Sequence, residues 1–301
     1  MNPVHQSYIR IFVALALMTA ITIAMNNSDQ QSNYGNLEKI LAEFPDAADS
    51  TAIIRAGRAF AAGRQSGDRW LLNDCLMEQF VFREVLHEAV PGRMYLRSMD
   101  RSQFLKSIRT RKWDAGSDRH SIRISILDTY RHSANLEIRA DETLVLCQLA
   151  ELDGKWKIVN ALEVGRGSLF DGTVTDGERA AIRQTGIQML EGWYNGDPQK
   201  MDRVLHEILA KRGVVPNRNS GKIEIRSVGK TEMVEAAEKG TGKLPREKWS
   251  IDADILGIYG NIAVVRIRSE YLMDVCQLVN FGGEWKIVNV IWEIRSIPPW
   301  W

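Results

Sequence analysis

Apolar side chains alternate with polar ones from Trp249 to Ile255: Trp249, Ile251, Ala253 and Ile255 against Ser250, Asp252 and Asp254. A period of two puts one set on each face of a half-buried β-strand. Three more extended segments follow, Ile262–Ser269 beyond a Tyr-Gly-Asn turn, Leu272–Val279 and Trp285–Glu293. Their short connections predict an antiparallel meander. Upstream the period changes. Ile182, Gly186, Met189, Leu190 and Trp193 recur at spacings of three and four, which predicts a helix. Asn195-Gly-Asp-Pro198 ends it, and Asp197 before Pro198 caps a second helix carrying Met201, Val204, Leu205 and Leu209. A short extended segment lies around Ile223–Ile225, and Thr231 leads a third helix with Met233, Val234 and Ala237.

This whole pattern occurs twice. Residues 51–160 pair with 180–289 without a gap, 129 positions apart, with 30 identities in 110 columns. The densest stretch runs from Cys147 to Asn160 and again from Cys276 to Asn289, where Cys-Gln-Leu, a turn glycine and Trp-Lys-Ile-Val-Asn are shared. Each copy of it reads as one β-hairpin. Unbroken register over such a length means one fold built twice. The first unit spans 51–164, with Arg101–Lys112 in the place of the third helix. A Gly-, Ser-, Thr- and Asp-rich linker covers 165–178, and the second unit spans 179–297. Helices first and a meander after them give an α+β unit whose antiparallel sheet must curl over the helices to bury a face. The tail Pro298-Pro-Trp-Trp301 is expected to pack against that sheet.

Composition narrows the function little. The chain has 301 residues, 45% hydrophobic and 26% charged, with formal net charge +1. These are proportions of a folded protein, and no field of one sign points to nucleic acid or an anionic membrane. The N-terminus stands apart. Arg10 precedes an uncharged apolar run, Ile11 to Met25. As a helix it would rise about 22 Å, short of a hydrocarbon core of about 30 Å. That length suits a secretory signal over residues 1–25, with Thr22-Ile-Ala24 as the cleavage site. Export to the periplasm or exterior is the expectation, and an uncleaved N-terminal anchor is the alternative. Residues 26–50 read as a polar spacer, with a short helix from Leu37 to Phe44. Cys75, Cys147 and Cys276 are too few for a disulfide framework, lack metal-ligand spacing, and are expected as buried apolar residues. No metal or cofactor is indicated.

The order of elements resembles the nuclear transport factor 2-like superfamily of cone-shaped domains. It is most similar to the family called "putative lumazine-binding". The residues carrying this are Trp193-Tyr-Asn-Gly-Asp197, Val204 to Arg212, Gly221, Lys230-Thr-Glu-Met-Val234 and Asp274 to Asn289. The likeness covers nearly all of 178–295 and, with poorer motifs, 51–164. Members usually have Pro after the His, here Glu207, and often Tyr-Leu after the Asp, here Val275-Cys276. The superfamily includes ketosteroid isomerases, scytalone dehydratase and SnoaL-like polyketide cyclases as well as members without known activity, so the fold decides no chemistry. The resemblance implies a conical pocket between the sheet and the first helix, and pairing of such domains through their sheets. Two units in one chain would make that pair internally, as a pseudo-dimer.

The two units differ where chemistry would sit. His206 aligns with Met77, Asp274 with Val145, and Tyr194 with Gln65. A pocket with acid/base capacity would therefore belong to the second unit. His206 and Asp274 are candidates for general acid–base work, with Tyr194 donating to an oxyanion, which suits an isomerase or dehydratase. The structural alternative is that His206 pins the second helix and Asp274 pairs with Arg212, Arg266 or Arg268. The favoured reading is a non-catalytic protein. Its second cone binds a small apolar or heteroaromatic ligand, or a protein partner, through Trp193, Tyr194, His206, Asp274 and Cys276. A purely structural or interaction role is the third possibility. Asp274, Cys276 and Leu278 share a strand face, so a Cys147–Cys276 disulfide across the outer sheet faces is not expected. Arg83 and Arg212, present in both units, are expected to pair with a carboxylate or with helix carbonyls. His87, His120 and His132 are expected at the surface or at strand edges.

Overall fold

The computed structural model describes residues 49–87, 94–108, 122–140, 143–165, 174–217 and 219–300. The N-terminal apolar run, the Leu37–Phe44 helix, His120 and Trp301 lie outside these. Pro45–Val215 and Lys222–Trp301 form one compact unit holding both copies of the repeat. The other unit is described only around the turn at Asn217, whose side chain accepts the Asn219 and Ser220 N–H groups at 3.0 Å.

The first domain contains α1 (Ser50–Ser66), α2 (Arg69–Cys75), β1 (Leu76–His87), β2 (Met94–Asp100), α3 (Arg101–Ser107), β3 (Ile122–Tyr130), β4 (Ser133–Ala140), β5 (Thr143–Leu152) and β6 (Lys155–Val164). The second repeats this as α4 (Asp176–Asn195), α5 (Pro198–Val204), β7 (Leu205–Pro216), β8 (Ile223–Val228), α6 (Lys230–Glu238), β9 (Asp252–Tyr259), β10 (Ile262–Arg268), β11 (Leu272–Phe281) and β12 (Glu284–Ile294). The architecture is two tandem α+β domains, each a six-stranded sheet with helices on its inner face. The strand orders are β2-β1-β6-β5-β4-β3 and β8-β7-β12-β11-β10-β9.

Local signals explain the helix ends. Thr175 and Glu178 form a capping box at the start of α4, and Gly196 closes that helix in the left-handed region. Asp197 caps α5 by accepting the Lys200 N–H, with Pro198 at the first helical position. Gly57 and Gly186 sit where helix meets sheet. A Cβ at Gly57 would lie 2.8 Å from the Leu136 side chain, and one at Gly186 3.0 Å from Ile267. Glycine at these two positions lets α1 and α4 lie directly on β4 and β10.

Two expectations are corrected. The sheets are mixed, because β1 runs parallel to β6 and β7 parallel to β12. And the second helix stops at Val204. Leu205 to Pro216 is a strand, so Leu205, His206 and Leu209 are not helical. Leu-His-Glu-Ile-Leu-Ala-Lys reads as helix from propensity alone, and long-range pairing with β12 overrides it. The pairing is also irregular. Residues 206–209 face the single residue 288, and residues 77–80 face residue 159, so each parallel pair carries a large bulge.

The central strands of each sheet are buried on both faces. The inner face of the first packs Ile53, Phe60, Phe80, Phe82, Phe104 and Cys147 under the helices. The outer faces share a second core, in which Leu146, Val159 and Leu162 meet Val264, Val275 and Val288. Polar bonds cross this same layer in near-symmetric pairs. Gln148 donates to the Val275 carbonyl at 2.8 Å, and Gln277 to the Leu146 carbonyl at 3.1 Å. Asn160 holds Gln148 at 2.8 Å, and Asn289 holds Gln277 at 2.7 Å.

Candidate functional site

Val275 and Gln277 point into the layer between the sheets, so Asp274 and Cys276 point the other way, into the second cone. Both are fully buried. The Asp274 carboxylate does not pair with Arg212, Arg266 or Arg268. Its partner is Lys211 on β7, which bonds Asp274 Oδ1, while Asp274 Oδ2 has no hydrogen-bond partner among the described residues. Arg266 pairs instead with Asp128 of the first domain and with Asp254, and Arg268 with Asp252 and Asp254. The Lys211 ammonium lies 5.3 Å from the centre of the Trp292 ring, a cation–π distance.

Tyr194, at the end of α4, makes no hydrogen bond to Lys211 or Asp274 among the described residues. Its hydroxyl is 2.6 Å from Ser269 Oγ, and burial raises its pKa above the ordinary phenol value, with a smaller contribution from the Asp274 charge. Burial likewise pushes the Cys276 thiol well up, and Asp274 adds to it, so Cys276 stays a thiol and is no nucleophile. Trp193 precedes Tyr194 on α4. Its ring meets Trp300 at 6.1 Å, and Trp300 also touches Tyr194 and Tyr271. The tail thus packs on the end of α4 and the start of β11, where packing on the sheet was expected.

His206 is elsewhere. Its ring stacks on Phe281 at 4.9 Å, and its Nδ1 accepts the Ile208 N–H at 3.3 Å. It opens on a groove of about 830 Å³ with Leu205, Val234, Phe281, Lys230 and Lys286, which includes neither Tyr194 nor Asp274. Burial, then the Arg83 charge, lowers its pKa, so the ring is neutral at neutral pH. No hydrogen bond or ion pair joins His206 to Asp274 among the described residues. The expected acid/base pair is not brought together, and His206 sits in a strand bulge rather than pinning a helix.

Sequence reasoning missed Lys211 and Trp292. The available signal for Lys211 was a lysine at the position where the first copy has Phe82. The same reasoning found no ionisable residue in the first unit at the places of His206, Asp274 and Tyr194, and did not single out Arg64 and Glu163, which form an ion pair in that cone with Arg64 5.2 Å from the Phe82 ring centre. Among the described residues Arg83 and Arg212 find neither carboxylates nor helix carbonyls. Arg83 donates to Asn289 Oδ1 and the Ile208 carbonyl, and Arg212 to the Gln79 carbonyl at 3.2 Å. Both carbonyls lie in the bulge of the opposite domain. His132 is half-buried, with Nδ1 3.1 Å from Glu151, and His87 ends β1. All three cysteines are free. Among the described residues no His, Cys, Asp and Glu cluster suits a metal, and no helix is long and apolar enough to cross a membrane.

The geometry defines a class first: tandem cone domains with one buried polar group inside the second cone. Residues 177–293 match the family described as putative lumazine-binding. No curated protein matches the chain. Solved structures similar to it include an NTF2-like protein of unknown function from Silicibacter pomeroyi DSS-3, at 17% identity and TM-score 0.35, covering 41% of this chain and all of that one. Another from Shewanella baltica OS155 shares 19% identity at TM-score 0.35, covering 42% of this chain and all of that one. A protein of cystatin-like fold and unknown function from Nostoc punctiforme PCC 73102 shares 15% at TM-score 0.32, covering 42% and 98%.

Proposed function

We propose that this is a non-catalytic binding protein whose second cone takes a small, largely apolar or heteroaromatic ligand, with Lys211, Asp274 and Tyr194 as its polar contacts. The observation that carries this is Asp274. A fully buried carboxylate with one oxygen left without a partner costs stability and serves no packing need, since the first copy fills the same place with Val145. A ligand N–H or O–H at Oδ2 would complete its bonding, and Trp292 offers an aromatic face beside it. Cys276 contributes apolar surface only. The chain is also proposed to be exported through residues 1–25, and its two domains to act as an internal pseudo-dimer in place of two subunits. N-terminal sequencing of the protein recovered from the periplasm, and a solution mass of one chain, check those two points.

The ligand test is a thermal-shift screen of hydrophobic and heteroaromatic compounds on two proteins, the unaltered chain and the Lys211→Phe/Asp274→Val variant. Compounds that stabilise the first and leave the second unmoved are the expected result. No response to any compound in the unaltered chain would overturn the reading.

A further inference from the structure

Arg83 and Arg212 are 2% and 8% exposed and occupy equivalent positions in the two domains. Neither has a carboxylate partner among the described residues. Their acceptors are neutral: Asn289 Oδ1 and the Ile208 carbonyl for Arg83, the Gln79 and Lys211 carbonyls for Arg212. A guanidinium has five N–H donors and stays protonated. The Nε–H of each arginine is buried with no acceptor among the described residues. Arg83 reaches into the 206–209 bulge and Arg212 into the 77–80 bulge, so both guanidiniums lie in the seam between the domains; burial, and then the charge of Arg212, pushes Arg83 down to about 9. Buried charge of one sign without a counter-ion is costly, and proteins ordinarily compensate it.

We infer that the layer between the two sheets holds a small oxyanion, a carboxylate or a phosphate, clamped between Arg83 and Arg212. The terminal nitrogens of both side chains are held by those neutral acceptors, so the unpartnered Nε–H of each is the donor left for an oxygen of a shared anion, and one anion between two cations relieves their repulsion. The near-symmetric arrangement would place it where the two domains meet, so that binding ties one bulge to the other. This site is separate from the second cone, and its existence does not depend on a ligand there.

The test uses the full chain, freed of anions by dialysis, and reads its melting temperature in inorganic phosphate, acetate or chloride at one ionic strength. Phosphate or acetate should raise the midpoint by a few degrees, increasing with each tenfold rise in concentration, while chloride does less. The phosphate and acetate arms separate the two sources of the oxyanion. Arg83→Gln and Arg212→Gln should each abolish the rise. Equal midpoints in all three salts, or a response retained by both variants, would overturn the site. Should neither variant fold, crystals of the unaltered chain soaked in selenate decide. An anomalous peak between the two guanidiniums supports the site, and its absence overturns it.

Discussion

The two cones hold their buried charge in different places within one frame. The first has Arg64 paired with Glu163, and Phe82 and Val145 further along. The second has Trp193 and Trp292 at the equivalents of Arg64 and Glu163, and Lys211 paired with Asp274 at the equivalents of Phe82 and Val145. Each cone thus sets a cation against aromatic rings, but the pair has moved. In the first cone both partners keep about a tenth of their side chains exposed, whereas Asp274 is sealed and has an oxygen to spare. The outer faces differ less, since each carries the same glutamine bond across the layer and the same asparagine holding that glutamine. A frame fixed from outside leaves the inside of each cone free to diverge.

The largest expected effect comes from breaking that second pair on one side. Asp274→Val leaves Lys211 buried and alone, at a cost of about 3–5 kcal/mol. Urea unfolding at neutral pH measures it. Adding Lys211→Phe gives the second cone the first cone's residues at both places. A buried ion pair replaced by apolar groups is commonly neutral or stabilising by about 1–4 kcal/mol, so the double variant should recover at least the parent's stability. A double variant as weak as the single one would mean that the cones differ by more than the place of their charge.

Glu293 breaks the symmetry at the outer face, for the first domain has Val164 there. It is buried, and its carboxylate accepts the His132 N–H from the opposite domain at 3.4 Å. Burial raises its pKa to about 8, against the bonds from Ser133 and His132 and the charge of Arg131, all of which lower it. Between its unfolded value of 4.5 and about 8 the folded state binds more protons than the unfolded one. Stability is therefore full below 4.5 and falls as pH rises towards 8, by on the order of a few kcal/mol. Glu293→Gln should remove most of that slope, read from unfolding midpoints across the range.

The frame was legible in the sequence, because thirty matched positions in unbroken register can only be one fold repeated. The order of helices and strands, the Asp197 cap and the shared strand face of Asp274 and Cys276 followed from period and spacing. Two things did not. Helix-forming residues from Leu205 to Lys211 hid a strand whose pairing is made with β12, some 80 residues away. And the partner of Asp274 depended on that misread strand, since Lys211 enters the cone only when alternation replaces helical spacing. The repeated hairpin was legible as structure, but the work of its Gln and Asn was not, though one amide in each of two neighbouring strands apolar on both sides was the available sign.

Those amides supply a finer test of the comparison. Gln148→Leu and Gln277→Leu each remove one amide link between the domains, for about 1–3 kcal/mol. They should not be equal. Asn160, losing Gln148, still reaches the Ala210 carbonyl at 3.4 Å, whereas Asn289 has no second acceptor for its amide among the described residues. Gln277→Leu should therefore unfold at lower urea, and the reverse order would show that the crossing bonds are not what separates the two halves.

The smallest effect belongs to an arginine that the two copies also share. Arg268, like Arg139 before it, is the same residue in both, as are Arg83 and Arg212. Identity between copies does not rank them, and burial does. Arg268 is over a third exposed, and its partners Asp252 and Asp254 are more exposed still. Pairs of that kind contribute about 0–1 kcal/mol, because water screens them and two long side chains must be ordered. Arg268→Ala should move the urea midpoint within that range and leave ligand binding in the second cone unchanged, since Asp274 is held by Lys211. A loss as large as that of Asp274→Val would return Arg268 to the carboxylate from which the structure has separated it.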